Sequence, residues 1–132
     1  MENTPSVFYR IFVTKLNNYI MEKTIYLSFD LGLKGDYQGF YAWLDEREAK
    51  ECGYNLAVFK YTYSGDSIVD SVKNELTSSV KFGKNDRLYM IWRDNGKIVG
   101  QFIVGHRKSS PWEGFALANV GVQDYGERKG DW

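Results

Sequence analysis

The sequence predicts an α+β fold with helices on one face of a mainly antiparallel sheet. Three observations predict it. Runs of period two alternate along the chain with runs of helical period. A late Asp94-Asn95-Gly96 triplet joins two strand-like runs, the signature of a tight hairpin. The 132 residues are 43% hydrophobic and 26% charged, which is globular usage and excludes wholesale disorder.

The elements follow in order. Thr24 to Asp30 sets Ile25, Leu27 and Phe29 against Tyr26, Ser28 and Asp30, a strand. The loop Leu31-Gly32-Leu33-Lys34-Gly35 leads to Asp36, whose carboxylate suits an N-cap. Tyr37, Phe40, Tyr41 and Leu44 then recur at helical spacing, with Asp45, Glu46 and Arg47 on the wet side. Gly39 costs this helix about 1 kcal/mol relative to Ala, so close packing is its expected reason. The stretch from Glu48 to Gly53 reads two ways: a continued helix capped at Gly53, or a short strand over Ala49 to Cys52 turning at Gly53-Tyr54-Asn55.

Leu56 to Tyr63 is a clear strand, with Ala57, Phe59, Tyr61 and Tyr63 on one side. Asp66 or Ser67 caps a second helix, striped by Ile68, Val69, Val72, Leu76 and Val80 and ended by Gly83. Arg87 to Arg93 and Lys97 to Val104 form the hairpin. With the short strand, the order is βαββαβ plus one strand, the ferredoxin-like plan. Without it, the order is βαβαββ. The first is preferred, because it closes with a turn already present.

The expected organisation is an N-terminal extension over residues 1–22, a domain over 23–104 and a tail over 105–132. Phe8, Ile11, Phe12 and Leu16 could line one side of a short leading helix. The tail lacks periodicity, yet Trp112, Phe115, Leu117, Val120 and Val122 are costly to leave in water. It therefore packs on the domain or a second copy, or stays loose. The last hairpin leaves a sheet edge that invites pairing, which makes a homodimer the expected assembly.

Composition narrows the chemistry. Lys+Arg and Asp+Glu number 17 each, so overall charge gives no argument for nucleic acid, and only a local patch could supply one. A single cysteine, Cys52, and a single histidine, His106, exclude zinc-finger and two-histidine sites within one chain. The lone cysteine also favours a reducing compartment. Apolar runs are a few residues long, against the roughly 20 a spanning helix needs, and the leader has no signal-peptide pattern. The expected setting is the cytoplasm, with no membrane partner.

Candidate functional residues are few. Gly32-Leu33-Lys34-Gly35 lies where a phosphate loop would, but Asp36 already occupies the helix cap. His106, with Arg107 and Lys108 beside it, suits phosphate contact or general-base work on a ribose hydroxyl. The plainer reading is an exposed basic strand end. Asp30 ends the first strand on the side opposite its apolar set. A magnesium ion usually takes one or two protein carboxylates with waters and phosphates, so two copies of Asp30 across a dimer axis could hold one. Alone, an aspartate there is a turn former. Tyr61, Tyr63, Tyr89 and Trp92 read as cross-strand packing or, less simply, as an aromatic ligand face.

Tyr26-Leu27-Ser28-Phe29-Asp30-Leu31, followed by a glycine-rich loop and Asp36-Tyr37, and Lys84-Asn85-Asp86-Arg87-Leu88-Tyr89 opening a late strand resemble a known group. They are similar to the small ferredoxin-like proteins related to the CRISPR-associated Cas-two nucleases, with their SinR-like and VapD-like relatives. The likeness covers about residues 23–104. It implies a symmetric dimer that shares a magnesium ion through Asp30, and it also implies the short strand after the first helix. The glycine-containing loop, the uncharged first helix face and the aromatic tail depart from the group. Many of its members are structural subunits.

Two functions compete. One is a dimeric protein binding RNA or DNA, in its catalytic form a magnesium-dependent endoribonuclease of a defence or toxin–antitoxin system. There Arg93, Arg107, Lys108 and His106 would contact phosphate, with Lys60 and Lys84 as weaker candidates. The other is a non-catalytic scaffold that binds a protein partner through its sheet edge or tail.

Overall fold

The computed structural model describes residues 20–117. The elements are β1 (Ile20–Asp30), α1 (Tyr37–Glu46), β2 (Lys50–Gly53), β3 (Leu56–Ser64), α2 (Ile68–Ser79), β4 (Arg87–Asp94) and β5 (Lys97–Val104). The strands make one sheet in the order β2-β3-β1-β4-β5, and every neighbouring pair is antiparallel. This is the α+β class the alternating periodicities predict.

Register decides which side of each strand meets the helices. Ile25 pairs with Phe59, and Leu27 pairs with both Ala57 and Met90, so these residues share one face. From α1, Phe40 and Trp43 close onto that face; from α2, Ile68, Val72 and Leu76 do so. Phe40 meets Phe29 edge-on at 4.9 Å, and Trp43 meets Phe59 at 5.4 Å. The Tyr61 hydroxyl enters the same layer and shares a 2.9 Å hydrogen bond with Ser71. Its burial raises the phenol above the ordinary value, an effect Ser71 only partly offsets.

Several sequence expectations need correction. β1 starts at Ile20, before Thr24, because Ile20 to Lys23 continue the ladder with Tyr61 to Ser64. The preferred short strand is present, one residue later than expected, at Lys50–Gly53. Helix α1 ends in a Schellman turn: Glu48 takes a left-handed φ of 55°, and Ala49 N–H donates to the Leu44 carbonyl at 3.0 Å. A glutamate has no preference for that left-handed position, so the helix end carries no sequence signal. Helix α2 stops at Ser79 and not at Gly83. Val80 is extended and buried, and the Lys81 amide donates to an Asp36 carboxylate oxygen at 3.0 Å.

The apolar stripe of α1 is also displaced. Tyr37 and Tyr41 are exposed, and Trp43, absent from the predicted stripe, is buried. Tyr89 does not share a face with Tyr61, Tyr63 and Trp92. Leu88 and Met90 on either side of it are fully buried under the helices, so Tyr89 points to the uncovered face. There it meets Phe102 edge-on at 4.8 Å and lies over Gly100, where a Cβ would stand 2.5 Å from its hydroxyl.

The hairpin between β4 and β5 turns at Asn95 (φ 51°) and Gly96 (φ 78°), the two left-handed residues its sequence promised. The leading segment, Val120 and Val122 lie outside the described residues. Among those residues, Trp112 and Leu117 are exposed. No described helix is long and apolar enough to cross a membrane.

Candidate functional site at the loop end of the sheet

Strand direction sorts the connections into two sets. β1 and β5 end, and β4 begins, at one end of the sheet, so the loops after β1, β5 and α2 share that end with the Tyr54-Asn55 turn. Phe29 N–H donating to the Asn55 carbonyl at 3.0 Å fixes that turn against the end of β1.

Two carboxylates organise this end. Asp36 caps α1 through a 2.9 Å bond from the Gly39 amide, and its other oxygen accepts from Lys81. These two amide donors hold its carboxyl below the ordinary value. Asp86 is only 3% exposed. One of its oxygens accepts from the Gly32 amide at 2.6 Å, the other from the Gly83 amide at 2.7 Å. It thereby staples the loop after β1 to the loop before β4. A buried carboxylate without such donors would be costly, and two charge-assisted bonds offset that cost.

Between these loops lies a cleft of about 320 Å³, lined by Gly32 to Gly35 and by Gly83 to Asp86. Lys34 and Lys84 stand on its two walls, and neither forms an ion pair with another described residue. Next to it, on the uncovered sheet face, Asp30 accepts a 2.8 Å hydrogen bond from Arg87 across the β1–β4 pair. Gly105 then packs against Arg87 and the Asp86 carbonyl; with φ 75° and no room for a Cβ, only glycine suits the position. That contact delivers His106, Arg107 and Lys108, all exposed, to the same end.

The sequence-derived residues divide accordingly. Asp30, His106, Arg107, Lys108 and Lys84 come together at the loop end. Arg93 does not. It lies at the far end of β4 beside the hairpin, its guanidinium 3.4 Å from the Gly96 carbonyl, six residues or about 20 Å from Arg87. Lys60 sits mid-strand opposite Thr24, away from the cluster.

Comparison with protein-family models, curated proteins and solved structures found no match to this chain. The resemblance to the Cas-two group therefore rests on the quoted residues alone.

The donor set for magnesium is small. Among the described residues no three Asp, Glu, His or Cys side chains converge, and Asp30 already gives one oxygen to Arg87. Within one protomer this falls short of a magnesium site, so the metal expectation needs a second copy of Asp30. Sequence reasoning missed three contributors. Arg87 as the partner of Asp30 follows only from register. Asp86 as a buried staple and Tyr54 as an exposed turn residue had no periodic signal to mark them.

Proposed function

We propose that this chain is a ferredoxin-like, homodimeric protein that binds RNA or DNA through the loop end of its sheet. The strand order β2-β3-β1-β4-β5 supports the fold reading. The observation that carries the functional reading is the gathering of Lys34, Lys81, Lys84, Arg87, Arg107 and Lys108 at one end of a chain whose total charge is zero. Of the acidic residues at that end, Asp30, Asp36 and Asp86 are each committed to a hydrogen-bonding partner, and Glu51 stands beside the Tyr54-Asn55 turn. Such a surface attracts phosphates without reading sequence.

The magnesium-dependent endoribonuclease of a defence or toxin–antitoxin system is the second reading. What favours it is the position of Asp30, exposed on the uncovered face at the end of the first strand, where a second copy could approach. The two readings assign Asp30 opposite roles. As a partner of Arg87 it restrains a phosphate-binding cation; as a metal ligand it is indispensable for cleavage. Asp30→Ala is therefore the test, with labelled single-stranded RNA assayed in magnesium and in chelator. Binding without cleavage, strengthened several-fold in the variant, supports the binding reading. Magnesium-dependent cleavage that disappears in Asp30→Ala establishes the nuclease. Absence of binding at low salt removes both.

A further inference from the structure

Beside the basic cleft a second depression, of about 360 Å³, opens between α1 and the β2–β3 turn. Its lining differs in kind. Phe29, Leu44, Leu56 and Ala57 make it apolar, and the rings of Tyr41 and Tyr54 stand at its sides. Tyr54 is 94% exposed and Tyr41 50%, so neither ring is used by the core. Yet both are held. Tyr41 is braced edge-on by Phe29 at 6.3 Å and by Tyr37 at 5.6 Å, and the Tyr37 hydroxyl donates to the Leu31 carbonyl. Tyr54 sits on a two-residue turn fixed by the left-handed Asn55.

A braced aromatic face, Tyr41, above an apolar floor, with the exposed Tyr54 ring on the turn beside it, suits a flat ring that brings its own hydrophobic faces. Asn55 and Glu51 at the rim offer an amide and a carboxylate to the ring's polar edge. Charge says what that ring is attached to. Phe29 lines this groove and Gly32 lines the basic cleft, so only Asp30 and Leu31, at most about 10 Å of chain, separate the two. A base in the groove would leave its phosphates facing Lys34 and Lys84.

Resting on the nucleic-acid reading above, we propose that the groove between α1 and the β2–β3 turn is a base-stacking subsite, and that the protein selects single-stranded over duplex nucleic acid. In a duplex the faces of the bases are stacked on their neighbours and cannot enter it, whereas an unpaired base can be splayed onto tyrosine.

The test measures fluorescence anisotropy of an unstructured labelled RNA strand, of the same sequence as a duplex, and of a strand carrying abasic positions. The full chain is compared with Tyr54→Ala, Tyr54→Phe, Tyr41→Ala and a Lys34→Ala/Lys84→Ala double variant. Loss of one stacking ring should weaken single-strand binding roughly 5- to 100-fold. Duplex binding should not move, and Tyr54→Phe, which keeps the ring face, should bind as the parent chain does. At 94% exposure Tyr54 can be truncated without disturbing the fold.

If intact and abasic strands bind equally, or both tyrosine variants bind like the parent while the lysine variant fails, the subsite is wrong and the phosphate-binding reading survives. If the parent chain binds none of the three probes at low salt, the underlying reading falls and takes the subsite with it.

Discussion

Gly39 shows how one residue carries a constraint that reaches across the fold. By helix propensity alone, alanine there should be better by about 1 kcal/mol. A Cβ at position 39, however, would stand 2.5 Å from an Asp36 carboxylate oxygen. The glycine makes room for the cap, and the cap in turn holds the Lys81 amide. Because both amides favour the charged carboxylate, its ionisation lies below the ordinary value of 3.8. A lowered carboxyl contributes stability above its unfolded value and loses it as pH falls through the lowered one. The urea midpoint of the parent chain should therefore exceed that of Asp36→Asn by a constant margin at neutral pH. The margin should begin to close near 3.8 and vanish in stronger acid. A margin unchanged by acid would show that the carboxylate charge contributes nothing to the cap.

Among the elements, what periodicity could reach was legible and what depends on partners was not. The alternation of Ile25, Leu27 and Phe29 marks both the strand and its buried side, and the stripe Ile68, Val72 and Leu76 marks the face of α2. Asn95-Gly96 marks the hairpin because few other residues accept two consecutive left-handed conformations. By contrast, the end of α1 turns on Glu48, a residue type with no preference for its conformation. Of the candidate site, Asp30 and the His106-Arg107-Lys108 run could be read because strand ends are where side chains leave a sheet. Their proximity could not be, since it depends on β4 and β5 returning beside β1. Asp86 binds these elements together, and its two amide partners lie 54 and 3 residues away in the chain. Asp86→Ala should cost roughly 2–4 kcal/mol in urea unfolding, because it removes two charge-assisted hydrogen bonds that join the loops. The same substitution should loosen the cleft, read as faster amide hydrogen exchange at Gly32 and Gly83. Protection unchanged at both amides would mean that the loops are held by something else.

At the scale of the molecule, a total charge of zero conceals a division. Asp45, Glu46, Glu48, Asp66, Asp70 and Asp94 lie at the end of the sheet opposite the lysine and arginine cluster, at the finish of α1, the start of α2 and the β4–β5 turn, where they outnumber Lys23, Arg47, Arg93 and Lys97. The sheet is as long as β1, whose 11 residues span about 35 Å, so the acidic end lies several screening lengths from the basic one in ordinary buffer. A polyanion approaching the loop end would meet the local charge and not the total. Binding should thus weaken steeply with salt, and each phosphate contact removed should lower the log–log slope by about 0.7 for a single strand. Lys34→Ala, Lys84→Ala, Arg107→Ala and Lys108→Ala should each take such a step. Lys97→Ala, at the β4–β5 turn, and Arg93→Ala, one strand length from the cluster, should leave the slope where it was. The controls carry as much weight as the test positions, because all six substitutions change the total charge equally. Equal slopes across all six would mean that the protein responds to nucleic acid through its net charge, and the loop end would lose its claim to be the binding surface.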